Sequence, residues 1–247
     1  MPISIEALFK IPVIYFVDLA RDGKTLLYSS NTTGIPHLYT METRPDSAPT
    51  QVTRGDDSVI FGFLSPSGED IVYLQDKDGN ELHHLFLTSK EGKETRQITN
   101  AAMRTWDAAW HPNGKEVART YATKESCGIE IINTRTSENF ILKTQTTPCS
   151  GVKYSHDGKW VAYTEYGGGK DPKNNQVTVV NRNDPADTVS YKFKDGSKET
   201  FPTWAPNDKK LAFFSDANGK TQVVIQDFQG EEHLFLSLGE GEEAYED

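Results

Sequence analysis

One turn, recurring at almost constant phase, constrains this chain more than any other feature. A short apolar stretch runs into a polar turn and out into a second apolar stretch at Leu19–Tyr28, Leu64–Tyr73, Trp110–Arg119, Tyr154–Tyr163 and Trp204–Phe213. The equivalent turn residues are Gly23, Gly68, Gly114, Gly158 and Asp208, separated by 45, 46, 44 and 50 positions. Gln51-Val-Thr53 and Gln97-Ile-Thr99 keep the same step of 46. A single Asp-Gly or Asn-Gly turn is commonplace. Five in phase define an internal repeat of one supersecondary unit.

Each turn supplies a hairpin, because Gly accepts positive φ without steric cost. A third strand is predicted at His37–Tyr39, His84–Phe86, Ile129–Ile131, Val177–Val179 and Val223–Ile225. A fourth, more polar strand follows at Thr50–Thr53, Arg96–Thr99, Asn139–Leu142, Thr188–Phe193 and Glu232–Leu236. Four antiparallel strands per repeat make the blade of a β-propeller. A lone blade cannot bury both faces, so blades must stack. The fold class is therefore all-β: a propeller with five blades in this chain, forming an incomplete or open array. Residues 1–238 form the propeller, and the acidic stretch 239–247 is a linker into a continuation. Open blade edges predict self-association. Helix is confined to one turn over Ser4–Lys10.

Composition excludes several classes. With 26 Lys and Arg against 36 Asp and Glu, the net charge is −10, and no basic stripe is available to displace counterions from nucleic acid. The longest apolar run, Ile11–Val17, is short and broken by Pro12, so no membrane span is expected. Two cysteines are too few for a disulfide framework, which points to a reducing, cytoplasmic compartment. Cys127 and Cys149 are expected ahead of a third strand and of the next first strand, on one face. That geometry permits pairing, with two free thiols as the favoured state.

The second repeat, Ile71-Val-Tyr-Leu-Gln-Asp-Lys-Asp-Gly-Asn-Glu-Leu-His-His-Leu-Phe86, resembles a segment of acylaminoacyl-peptidase-type members of the prolyl oligopeptidase (S9) serine peptidase family. The lead-in Glu6-Ala-Leu-Phe-Lys-Ile-Pro12 resembles theirs too, and the turn motif itself is similar to TolB-type propeller blades. Trp106-Asp107 is the only Trp-Asp pair and opens a first strand, unlike a WD40 repeat. The resemblance implies a non-catalytic propeller that admits short peptides to a C-terminal α/β-hydrolase domain. No Gly-x-Ser-x-Gly occurs, so no catalytic residue carries over and the hydrolase domain would lie beyond this chain. The alternative is a TolB-like propeller that docks a protein partner. A third reading, an enzyme at the channel mouth, nominates no residues.

Other motifs reduce to structure. His83-His84 would point to opposite faces of a strand, one buried and one exposed, and hold no metal. Asp76–Glu81 lacks calcium-loop spacing, with Glu81 and Leu87 at the positions where Gly and Glu are required; Asp78-Gly79 suits a hairpin. Gly167-Gly-Gly-Lys170 is followed by Asp171 and is no phosphate loop. His111 and His156 share a turn slot. Trp110 and Trp204 share the slot of Leu64 and Tyr154 and should pack between blades, and Trp160 should be core. Trp106 is the one aromatic nominated for binding. No cofactor is expected.

Overall fold

The computed structural model describes residues 11–99, 103–167 and 173–237. The predicted turn at Ser4–Lys10, most of the Glu6–Pro12 lead-in, the tip of the Gly167–Lys170 loop and the acidic stretch 239–247 lie outside them. The chain folds into two compact units, divided after Thr105. No helix occurs among the described residues.

The first unit holds two four-stranded antiparallel sheets in sequential order. Blade 1 comprises β1 (Ile14–Leu19), β2 (Thr25–Ser30), β3 (His37–Glu42) and β4 (Thr50–Gln51). Blade 2 comprises β5 (Gly62–Leu64), β6 (Asp70–Gln75), β7 (His84–Ser89) and β8 (Arg96–Gln97). One core joins them: Leu27, Leu38 and Val52 of blade 1 meet Leu64, Ile71 and Tyr73 of blade 2. The Asp18 carboxylate of β1 accepts the Leu64 N–H of β5 at 2.9 Å. The fourth strands are shorter than the sequence suggested. After Gln51 and Gln97 the chain turns inward, and the Thr53 and Thr99 hydroxyls accept the N–H of Leu38 and Leu85 at 2.9 and 3.0 Å. The Gln-x-Thr marker is thus a side-chain closure of the blade edge.

The second unit holds three such sheets. Blade 3 comprises β9 (Ala108–Trp110), β10 (Glu116–Ala122), β11 (Cys127–Asn133) and β12 (Asn139–Gln145). Blade 4 comprises β13 (Cys149–Tyr154), β14 (Trp160–Glu165), β15 (Gln176–Asn181) and β16 (Thr188–Tyr191). Blade 5 comprises β17 (Glu199–Trp204), β18 (Lys210–Ser215), β19 (Gln222–Asp227) and β20 (His233–Leu236). Strand alternation sends successive side chains to opposite neighbours. Val161, Tyr163 and Val180 pack with Ala118, Ile129 and Ile131 of blade 3. Ala162, Val177 and Val179 pack with Trp204, Leu211 and Phe213 of blade 5. Blade 4 is therefore buried on both faces, which is why β14 and β15 read as nearly continuous apolar runs. In β18 and β19 the burial alternates, and Ala212, Phe214, Val223 and Ile225 remain half-buried.

All five predicted turn residues have positive φ: 71, 74, 66, 76 and, at Asp208, 56°. Asp208 departs from the Gly pattern for a visible reason. Asp tolerates the left-handed region, and its carboxylate reaches back to the preceding turn. It accepts the N–H of His156 and of Asp157, each at 2.8 Å, and the His156 Nδ1 proton at 2.8 Å. His111 forms the corresponding link from blade 3: Nε2 donates to Gly158 O at 3.1 Å, and the ring meets Tyr154 edge-on at 4.8 Å. Its Nδ1 accepts Asn113 N–H at 3.0 Å, which fixes the neutral Nε2–H tautomer. Arg182 adds a bidentate pair to Glu116 of blade 3, with Nη2 2.6 and 2.7 Å from the two oxygens.

Leu64, Trp110, Tyr154 and Trp204 are all buried in their shared slot. Trp204 sits edge-on to Phe228 at 5.0 Å, and Trp160, only half-buried, does so from blade 4 at 4.9 Å.

Candidate functional site

In the second unit, the first strands of blades 4 and 5 depart from regular pairing. β13 and β17 are sheet-edge strands, and each has a bulge at the same place. Ser150 to Lys153 spans Thr164 to Ala162, and Thr200 to Thr203 spans Phe214 to Ala212, leaving one extra residue in each inner strand. Bulges of this kind re-aim side chains and end regular pairing. The residue seven positions before the turn, Gly151 in blade 4 and Phe201 in blade 5, takes positive φ, 71 and 56°.

The preceding blade holds each of these residues by its N–H. Asp107 Oδ2 accepts Gly151 N–H in a short bond and Val152 N–H at 3.2 Å, while Oδ1 accepts the Thr120 hydroxyl at 2.7 Å. Burial pushes the Asp107 carboxyl up, opposed by these three donors and by the Lys153 charge. Thr164, fully buried in β14, accepts Phe201 N–H at 2.9 Å. The Phe201 ring lies over Gly151, where an added Cβ would be 3.8 Å from Cδ1.

Trp106 is adjacent to Asp107 in the chain and 41% exposed; Phe201 is 47% exposed. Trp106 stands two residues ahead of β9, so it does not open the strand as the sequence suggested. Asp107, Gly151 and Phe201 thus form a chain of contacts across three blades, with Trp106 next to Asp107 in sequence. Sequence reasoning nominated Trp106 but missed the other three. The usable signal was the aligned slot, which holds Gly in one repeat and Phe in the next.

Other nominated residues go elsewhere. His83 precedes β7 and His84 begins it, and both are half-buried. This corrects the expected buried-and-exposed pair on one strand: the chain is still irregular at His83. Asp78 and Gly79 turn between β6 and β7 with φ of 53 and 69°. Cys127 and Cys149 begin β11 and β13 as free thiols, and the Cys149 thiol, pushed up by burial, donates to Gly128 O at 3.5 Å. Among the described residues no three His, Cys, Asp or Glu side chains converge as metal ligands.

Buried charge here is structural. Lys192 Nζ lies 3.2 Å from Glu199, whose other oxygen accepts the Ser197 and Ser215 hydroxyls at 2.7 and 2.8 Å. Arg119 and Glu130 pair across β10 and β11 at 2.5 Å. A polar cleft of about 960 Å³ in the first unit is lined by Lys24, Arg44 and Lys90. Each already pairs with a carboxylate, of Asp22, Glu42 and Glu69 respectively.

Comparison with known proteins places this architecture. No protein-family profile matches the chain. It is 22% identical over 163 residues to the uncharacterized peptidase YuxL of Bacillus subtilis, covering 65% of this chain and 22% of that protein. It is 24% identical over 227 residues to oligogalacturonate lyase of Dickeya dadantii, covering 83% and 58%. The chain therefore spans less than two thirds of either relative. A puromycin-hydrolyzing peptidase of Mycobacterium tuberculosis superposes with a TM-score of 0.76 at 15% identity, over 97% of this chain and 40% of that one. A TolB protein from Agrobacterium tumefaciens superposes at 0.68 and 19%, over 90% and 80%. The likeness is one of fold. The blades are β-propeller blades, a fold shared with the TolB protein and the puromycin-hydrolyzing peptidase. No helix among the described residues is long and apolar enough to cross a membrane.

Proposed function

We propose that this chain is the substrate-selecting propeller of a prolyl-oligopeptidase-like serine peptidase, working on short peptides in the cytoplasm. The hydrolytic serine would belong to an α/β-hydrolase domain outside these 247 residues. The observation that carries this reading is the match over 97% of the chain to only 40% of a peptidase. The sequence likeness to YuxL supports it. Selection would work by exclusion, since packed blades present only narrow passages to extended chains.

The test is fluorophosphonate labelling of the full natural gene product beside this chain alone. The reading expects a labelled serine in the former, outside residues 1–247, and none in the latter. An unlabelled natural product, or one ending at Asp247, would overturn it. The likeness to TolB over 80% of that chain favours a second reading, a protein-docking propeller. It expects a specific protein partner and no labelled serine in the natural product.

A further inference from the structure

Among the described residues, eight non-glycine residues have φ between 53 and 60°. Seven are polar and occupy turns or loops between strands. Of these eight, Phe201 alone is apolar and lies inside a strand, β17. A bulky residue in this region is an outlier, costing on the order of 1–2 kcal/mol. Strain of this kind persists where the surroundings over-determine it, and it gathers at ligand-contact sites. The Thr164 hydroxyl supplies the constraint. Blade 4 meets the same backbone demand with Gly151, so the bulge alone does not call for an aromatic ring. Nor is the ring spent on the core, being 47% exposed.

We propose that Phe201 is a ligand-contact residue for an apolar or aromatic side chain of an extended peptide, with the exposed Trp106, just ahead of β9, as a second contact. This deepens the peptide-selecting reading and rests on it. Two observations favour a peptide over a sugar. The polar side chains along these contacts are already engaged: Asp107 accepts three hydrogen bonds and Thr164 holds Phe201 N–H. A sugar would find few hydroxyl partners there. Second, β13 and β17 each pair within their sheets on one side only, so backbone groups other than the N–H of Gly151, Val152 and Phe201 stand at an edge that an extended chain can pair with.

Fluorescence anisotropy of the full chain tests this, using labelled Gly/Ser decapeptides with a single central Phe or Ala. The wild type should prefer the Phe peptide by about three- to tenfold, the range of one aromatic contact. Phe201→Gly should abolish that preference while leaving the melting temperature nearly unchanged. Phe201→Tyr should keep it, and Trp106→Ala should reduce it. Retained preference in Phe201→Gly would overturn the inference. Equal binding of both peptides by the wild type would overturn it while leaving peptide selection standing. If neither peptide binds, or acidic oligogalacturonides bind instead, the inference and the peptide reading fall together.

Discussion

Blades 4 and 5 answer one backbone demand with two residues. In both, the first strand gains a residue, the slot seven before the turn goes left-handed, and the preceding blade accepts its N–H. Blade 4 places Gly there and a buried carboxylate behind it. Blade 5 places an exposed Phe and a buried hydroxyl. The difference separates what the fold requires from what it merely tolerates: the bulge needs a left-handed residue and an acceptor, and it does not need a ring.

Removing the acceptor in blade 4 should do most damage. Asp107→Ala orphans the N–H groups of Gly151 and Val152, and each buried unpaired group costs about 1–3 kcal/mol. A loss of about 3 kcal/mol in urea unfolding is expected, with partial recovery in Asp107→Asn. Thr164→Val removes one acceptor and should cost about 1–2 kcal/mol. Similar losses in the two variants would break the comparison. Gly151→Ala should cost about 1 kcal/mol from backbone strain alone, because the new Cβ meets nothing closer than 3.7 Å. Phe201→Gly should come out near neutral, because relief of strain is offset by the lost burial of half the ring and by glycine's larger folding entropy. A clear loss in Gly151→Ala beside a near-neutral Phe201→Gly is the sharpest check, read from paired denaturation midpoints.

The smallest expected effect is pH-linked. Burial holds His111 below its ordinary 6.5, with Glu116 opposing and Arg182 assisting. The unfolded chain therefore binds the proton first. Stability is fully present above about pH 6.5 and declines as pH falls toward the folded value. His111→Asn should flatten that part of a stability–pH profile. His37, also lowered mainly by burial, adds a parallel slope in the first unit.

The repeat was legible because turn chemistry is local: Gly or Asp at a fixed phase announces a hairpin whatever surrounds it. The slot shared by Trp110 and Trp204 was legible for the same reason. Asp107 was not, since its worth depends on the amides of Gly151 and Val152, more than forty positions away. Phe201 was hidden differently. Nothing in Thr-Phe-Pro-Thr signals a left-handed backbone, and only alignment of the fifth repeat with the fourth exposes the slot.

The cross-blade stitches of the second unit are made by few side chains, placed differently at each seam. Asp107 and His111 serve blade 4, Thr164 serves blade 5, and Asp208 reaches back from blade 5. The apolar slots would let almost any blade sit beside any other. Polar partners that differ at every seam act as an address, so a chain with blades 3 and 5 exchanged should still collapse yet lose its unique order. The repeat supplies the modules; their fixed sequence in space is written in a few hydrogen bonds.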